Sequence, residues 1–344
     1  MRFAFIADIH LSKYGHDKRE ETSHLPERLH SIRAALYEVA DYCVHNNIRV
    51  MVIGGDILHG KSVIHAIAQE IMLQFFKKYN DLIKFYVIDG NHDLSGKGAN
   101  VVSALRSLET VHGVEWISHE AEKRYYDSAG IMFVPYSHKV AEVIQSSKAK
   151  ILISHFGLSE GVLNSGMSII QNISMNDLVG NYELVLLGHY HRPQEIIGPN
   201  IQLYYVGSLI QLDWGEKGEE KRFLVVDSDT MQVDSIPITA YRKHVEIEIT
   251  PDTKTAALKQ ARDAQDAGDH VKIVMKENVD LGSAKNDFNV VDKTEKDITD
   301  RGISSSMSKE DIHKRYVEIK EIPEDQMEFY LKVGLDIINE CEGD

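Results

Sequence analysis

Residues Phe85 to Asp93 read "FYVIDGNHD". Apolar, strand-forming residues run straight into Asp-Gly-Asn-His-Asp. A tight turn uses the Gly and tolerates the Asn, but it has no use for a His and two carboxylates beside them. The same layout recurs along the chain. "FIADIH" ends in Asp8 and His10, "VIGGD" in Asp56, "ISHFG" carries His155, and "LGHYH" carries His189 and His191. In each case an apolar strand delivers ligand-type residues at its C-terminal end, where open α/β sheets build their sites. Residues two apart on an extended segment point the same way. Asp8 with His10, and His189 with His191, are therefore expected to reach one cluster.

Strands and helices alternate around these segments. "RFAFIAD" (2–8), "VMVIGGD" (50–56) and "FYVID" (85–89) predict strands. Leu29, Ile32, Leu36, Val39 and Cys43 fall on one face of a helix starting after Pro26, and a second helix is predicted over 63–79. This β-α-β-α-β order predicts an α/β fold, with parallel strands covered by helices. Further strands are predicted at 130–135, 150–155, 183–189 and 202–207, and the hairpin-like pair "RFLVVD" and "QVDSIPI" closes this part near 238. Residues 1–240 are thus expected to form the main domain.

From 241 to 305 the texture changes. The strand "KHVEIEIT", an Ala-rich helix over 252–267 ending at Gly268, and the strand "HVKIVMK" predict a small α+β domain. In the last segment, 306–344, "SSSMSKEDIHKRY" reads as connecting structure. Pro323 then opens a helix with Met327, Tyr330, Leu331, Ile337 and Ile338 on one side. Such a helix packs on its own domain or docks a partner protein.

The chain has 344 residues, of which 43% are hydrophobic, and a formal net charge of −15. That charge argues against a general nucleic-acid coat, whose affinity would come largely from Lys and Arg. It leaves open an enzyme that grips nucleic acid through metals and a local basic rim. No apolar run is long enough to span a bilayer, so no membrane association is expected. The start "MRFAFIADIH" is broken by Asp8 and does not read as a signal peptide. The two cysteines, Cys43 and Cys341, lie apart from other ligand types. They predict neither a disulfide framework nor a zinc-thiolate site, and a cytoplasmic location is expected.

The candidate ligands supply nitrogen and oxygen but no sulfur. Imidazole mixed with carboxylate suits Mn, Fe, Co or Zn better than an all-oxygen calcium site. Two Asp, one Asn and four His exceed the needs of one tetrahedral ion. They suit two divalent ions ~3.5–4 Å apart sharing a carboxylate, an arrangement used to hydrolyse phosphoesters. A rival motif overlaps them: Gly55 to Ser62, "GDILHGKS", fits the phosphate-loop pattern of ATPases. Asp56 at its second position would repel phosphate unless a metal sat on it.

Taken in order, D-x-H, G-D, G-N-H-D, a later His and G-H-x-H resemble the signature of the calcineurin-like metallophosphoesterases, over residues 1 to about 210. "GGDILHGK", "GHYHRPQ" and "YYVGSLIQLDWGE" further resemble the SbcD-type DNA nucleases, the meiotic-recombination nuclease family. The resemblance implies a two-sheet sandwich flanked by helices, with a small C-terminal capping domain. It implies one metal held by Asp8, His10, Asp56 and His191, and another by Asp56, Asn91, His155 and His189, with manganese the expected ion. His92 matches a residue that faces the scissile phosphate, His59 one near the nucleic acid, and Asp93 stands where it could orient His92 or cap the next segment. DNA as substrate, an SbcC-type coiled-coil ATPase as partner, homodimerisation, and roles in repair, recombination or replication are implied likewise. A phosphoprotein or a small phosphodiester is the alternative substrate, because fold alone does not set it.

Overall fold

Strand β1 (Arg2–Ile6) serves two buried layers at once. Phe3 and Phe5 enter one apolar cluster, whereas Ala4 and Ile6 enter another. A strand covered on both faces reads as a continuous apolar run rather than an alternating one. The computed structural model describes residues 1–13, 24–60, 63–96, 100–126, 129–293, 307–320, 326–327 and 329–334.

Helix α1 (Glu27–His45) leads to β2 (Val50–Ile53), and α2 (Ala66–Tyr79) leads to β3 (Lys84–Ile88). The three strands pair in parallel. Leu29, Ile32, Leu36, Val39 and Cys43 are all buried on α1, the face their spacing predicts. Helix α2 begins at Ala66, later than the expected residue 63. His65 has extended backbone and its carbonyl accepts the first amides of the helix, from Ala68 and Gln69.

A short hairpin of β4 (Leu94–Ser95) and β5 (Val102–Ser103) precedes β6 (Val114–Ile117), which adds in parallel beside β3. A second sheet follows, from β7 (Arg124–Tyr126), β8 (Ile131–Val134), β9 (Ile151–His155), β10 (Leu184–Gly188), β11 (Gln194–Gly198) and β12 (Ile201–Tyr205). Short helices α3 (Val140–Gln145) and α4 (Met175–Leu178) interrupt it. The order is β11-β12-β10-β9-β8-β7, parallel at the centre and antiparallel at both edges. Antiparallel β13 (Arg222–Asp227) and β14 (Val233–Pro237) then complete the first sheet as β14-β13-β1-β2-β3-β6.

Phe3, Phe5 and Val52 of the first sheet meet Ile131, Phe133, Ile153 and Leu186 of the second in one buried layer. There Tyr86 stacks on Phe133 with ring centroids 5.4 Å apart. Helices α1 and α2 cover the outer face of the first sheet, and Met132, Val134, Leu152 and Val185 bury the outer face of the second. This is the expected two-sheet sandwich flanked by helices. Both sheets present the C-terminal ends of their parallel strands to the loops that carry the candidate ligands.

The chain divides into two units: Met1–Val245 with Gly268–His270, and Glu246–Ala267 with Val271–Asp344. The tripeptide is bound into the first unit, where Lys243 N–H donates to the Asp269 carboxylate (2.8 Å) and His270 N–H to the Lys243 carbonyl (2.8 Å). The second unit carries most of a three-stranded sheet, β15 (His244–Ile249), β16 (His270–Met275) and β17 (Asn289–Asp292), of which only His244, Val245 and His270 fall in the first unit, with α5 (Lys254–Asp266) burying Ala257 and Ala261.

Where connecting structure is expected near 310, helix α6 (Lys309–Ile319) forms. The Ser308 side chain accepts from Asp311 N–H at its N-cap, and Val317 is buried. Of the expected helix after Pro323, residues 326–327 and 329–334 are helical. Pro323, Ile337, Ile338 and Cys341, most of the insert at 12–28, and Lys61 and Ser62 of the rival motif lie outside the described residues. No helix among those described is long and apolar enough to cross a membrane.

Phe133→Ala should remove ~3–5 kcal/mol of stability, because both sheets pack on that ring. Urea unfolding followed by circular dichroism measures this, and a loss under ~1 kcal/mol would show that the layer is not a shared core.

Candidate metal centre

The turns after β1 and β2 remain zipped beyond their strands. Asp8 N–H donates to the Gly55 carbonyl (3.1 Å), His10 N–H to that of Asp56 (3.0 Å) and Leu11 N–H to that of Ile57 (2.8 Å). The contacts that join the sheets here include His155 Nδ1 with the Gly54 carbonyl (2.8 Å), and His189 N–H with the Asp8 carboxylate (2.9 and 3.1 Å). Gly188 permits this approach. A Cβ there would stand 2.6 Å from the Gly54 oxygen and 2.7 Å from His155 Nδ1.

Among the described residues nine non-glycine residues have positive φ, and Asp8, His10, Asp56 and His189 are four of them. Left-handed backbone of this kind costs ~1–3 kcal/mol per residue and clusters at functional sites. It also corrects the expected geometry. Asp8, His10 and His189 lie beyond their strands in left-handed turns, so sharp reversals rather than extended alternation bring them together.

The side chains converge closely. His10 Nε2 is 3.0 Å from His191 Nε2, 3.6 Å from Asp56 Oδ2 and 3.9 Å from Asp8 Oδ1. His155 Nε2 lies 3.4 Å from Asp56 Oδ2 and 3.0 Å from Asn91 Oδ1, and that oxygen is 2.9 Å from His189 Nδ1. Among the described residues three trios, Asp8–His10–His191, Asp8–Asp56–His155 and His10–His59–His92, each offer ligand atoms within 4.8 Å of one another.

The electrostatics suit a cation. Burial lowers the pKa of His10, and burial followed by the charge of His155 pushes His189 down to about 3, so both present neutral imidazole. Burial alone would raise Asp56, but His155, His10 and His92 hold it well below the usual carboxylate range. Burial also acts against charging His155, yet Asp56 and Asp8 outweigh it and push it up to about 9. Buried carboxylates here demand positive charge, and neutral imidazoles with paired ring nitrogens face the same point. Nitrogen and oxygen donors without sulfur fit borderline divalent ions.

Residues 1–195 match the calcineurin-like phosphoesterase family. The chain belongs to that family. It is 24% identical over 227 residues to the uncharacterized protein R555 of Acanthamoeba polyphaga mimivirus, covering 61% of this chain and 16% of that protein. To the putative phosphoesterase 244L of Invertebrate iridescent virus 6 it is 24% identical over 206 residues, covering 56% and 71%. To the DNA double-strand break repair protein Mre11 of Archaeoglobus fulgidus it is 23% identical over 274 residues, covering 72% and 59%. The chain thus spans well under two thirds of the mimivirus protein and somewhat under two thirds of the archaeal one.

The chain is therefore a metallophosphoesterase whose described residues include overlapping groups of metal-capable side chains. His92 and His59 join the cluster. His59 Nδ1 is 3.1 Å from His10 Nδ1, and the His59 and His92 rings stack with centroids 4.9 Å apart. Asp93 departs from the role of orienting His92. Its buried carboxylate accepts amides from Asp56 (2.7 Å), Leu58 (2.9 Å) and Gly90 (2.9 Å), which ties the β2 turn to the β3 turn. The His59 carbonyl, 3.1 Å from His92 Nδ1, orients His92 instead. These bonds also remove the phosphate-loop reading. A phosphate loop needs free amides, whereas those of Asp56 and Leu58 bind Asp93 and that of His59 binds the Leu11 carbonyl (3.2 Å).

Three buried charged residues near the site drew no role from sequence. Asp89 accepts from Ser103 Oγ (2.7 Å), Trp116 Nε1 (3.0 Å) and His119 N–H (2.8 Å), and lies 3.1 Å from His119 Nδ1. Glu216 and Lys221 pair beneath His191. Asp89 was readable only as one more acidic residue in "IDGNHD", and Glu216 only as the end of "DWGE".

Asp93→Ala should cost ~3 kcal/mol or more by leaving three buried amides unpaired, and should weaken Mn²⁺ uptake by the folded protein; calorimetric titration reads the second effect. A pH effect follows from Asp89, whose hydrogen bond raises the pKa of His119. A raised folded-state pKa stabilises most below the ordinary histidine value of about 6.5, and that gain is lost as pH rises through the folded value. The melting-temperature gap between native protein and His119→Gln should therefore be widest near pH ~5.5 and shrink toward alkaline pH.

Proposed function

We propose that the chain is a two-metal DNA nuclease, cleaving phosphodiesters as an exonuclease, an endonuclease or both. The observation that carries this reading is the stacked pair His92 and His59, half-buried beside the ligand cluster, with rings 4.9 Å from each other and 4.9 and 5.1 Å from His10. A site with two imidazoles at its margin suits an extended anionic chain better than a single small phosphate. The alignment with the archaeal repair protein supports it, because it covers 72% of the chain whereas the family match ends at residue 195.

Asp8, His10, Asp56 and His191 would hold one ion, and Asp56, Asn91, His155 and His189 the other. Two divalent ions supply charge neutralisation at the phosphodiester and a nucleophile usable at neutral pH. The chain does the positioning. Asp56 lies within reach of both groups, and its Oδ1 also accepts from His92 N–H (2.7 Å), fixing the His92 backbone. A carbonyl only accepts, so the hydrogen sits on His92 Nδ1 and leaves Nε2 to handle the proton of the leaving oxygen.

The same reading includes manganese as the ion, a homodimer, a cytoplasmic setting and an SbcC-type ATPase partner in DNA repair, recombination or replication. Exposed Phe329, Tyr330 and Val333 on the C-terminal segment support a partner-binding role for it.

The test is nucleotide release from linear and hairpin DNA with added Mn²⁺, beside a bis-nitrophenyl phosphodiester. His92→Ala should lower DNA cleavage ~10²–10⁴-fold, and Asp56→Ala should abolish it. Turnover of the small ester with none on DNA, even with the ATPase partner, would move the assignment to a small-molecule phosphodiesterase.

A further inference from the structure

We infer that Glu216 and Lys221 form a buried ion pair that positions His191, acting through that imidazole rather than on substrate. This rests on His191 being a metal ligand. Glu216 Oε1 lies 2.9 Å from His191 Nδ1. A carboxylate only accepts, so Nδ1 carries the hydrogen and the lone pair is left on Nε2. That Nε2 is the atom 3.0 Å from His10 Nε2, inside the cluster. Glu216 therefore selects the tautomer of His191 that can bind a cation, and makes the ring a better donor.

The carboxylate has little freedom to do otherwise. Its Oε2 accepts from Ser208 Oγ (2.8 Å), Leu212 N–H (3.1 Å) and Lys221 Nζ (2.8 Å), and Glu216 is 1% exposed. Lys221 is 0% exposed and spends its three hydrogens on three acceptors: Glu216, Glu219 (2.7 Å) and the carbonyl of His191 itself (3.0 Å). The pair thus holds His191 by ring and by backbone. By contrast, His155 is held through its Nδ1 by a neutral carbonyl. Burying an ion pair costs more desolvation than apolar packing of the same volume, so a fold that needed only stability would gain nothing by it here.

Mn²⁺ binding to the chelator-stripped full chain, followed by calorimetry, decides the matter. Glu216→Gln keeps the shape of the side chain but lacks its charge, and should weaken one of two binding steps 10–100-fold while the other is unchanged. Should that variant fold poorly because Lys221 is left buried, Glu216→Gln/Lys221→Met removes both charges and should show the same single-step loss. Visible absorption of bound Co²⁺ should change for the affected step. His191→Ala is the reference. If it weakens a step that both Glu216 variants leave intact, the positioning role is overturned and the ligand stands. If His191→Ala leaves both steps intact, the ligand reading falls and the inference with it. Equal weakening of both steps would mean general loosening, and would also overturn it.

Discussion

Asp93 clamps the cleft together. Its carboxylate gathers amides from two different turns, those of Asp56 and Leu58 after β2 and that of Gly90 after β3. Those turns carry Asp56, Asn91 and His92, three of the side chains around which everything else is arranged. Gly90 completes the clamp, because a Cβ there would overlap the Asp56 carboxylate. Three amides converge on this one buried carboxyl group and would be left unpaired without it, and their bonds help hold left-handed backbone at Asp56 that would otherwise relax. Every member of the cluster is reached from there, directly through Asp56 or across the sheets through Asp8 and His155.

Much of this was legible in the sequence, for a physical reason. Central parallel strands are buried on both faces, so β1, β2, β3, β9 and β10 appear as unbroken apolar runs, and a polar residue ending such a run is conspicuous. Of the strands that escaped notice, β4 and β5 are only two residues long, and β6, β7, β11 and β17 are edge strands with partly exposed side chains. Their sequences lack the apolar signal because one side needs no burial. Helix α6 escaped because a charged surface helix declares itself mainly through a cap, here Ser308.

At the site, identity was readable and support was not. His, Asp and Asn at strand ends declare themselves by type. The work of Asp93, Asp89 and Glu216 depends on which distant amide or ring each faces, and spacing carries no trace of that. Glu216 and His191 are 25 residues apart. The left-handed turns at Asp8, His10 and His189 were equally hidden, since non-glycine residues rarely adopt them.

The division of the chain has a consequence for dissecting it. Gly268–His270 belongs to the first unit although the residues on both sides belong to the second. Asp269 accepts from Lys243, and His270 donates to it. The border between the units is consequently crossed three times, and no single cut in the polypeptide separates them. A chain shortened to residue 245 would leave the Lys243 amide and carbonyl without these partners. A faithful isolated catalytic unit would instead need the second unit replaced by a short bridge from Val245 to Gly268, so that the returning tripeptide is retained.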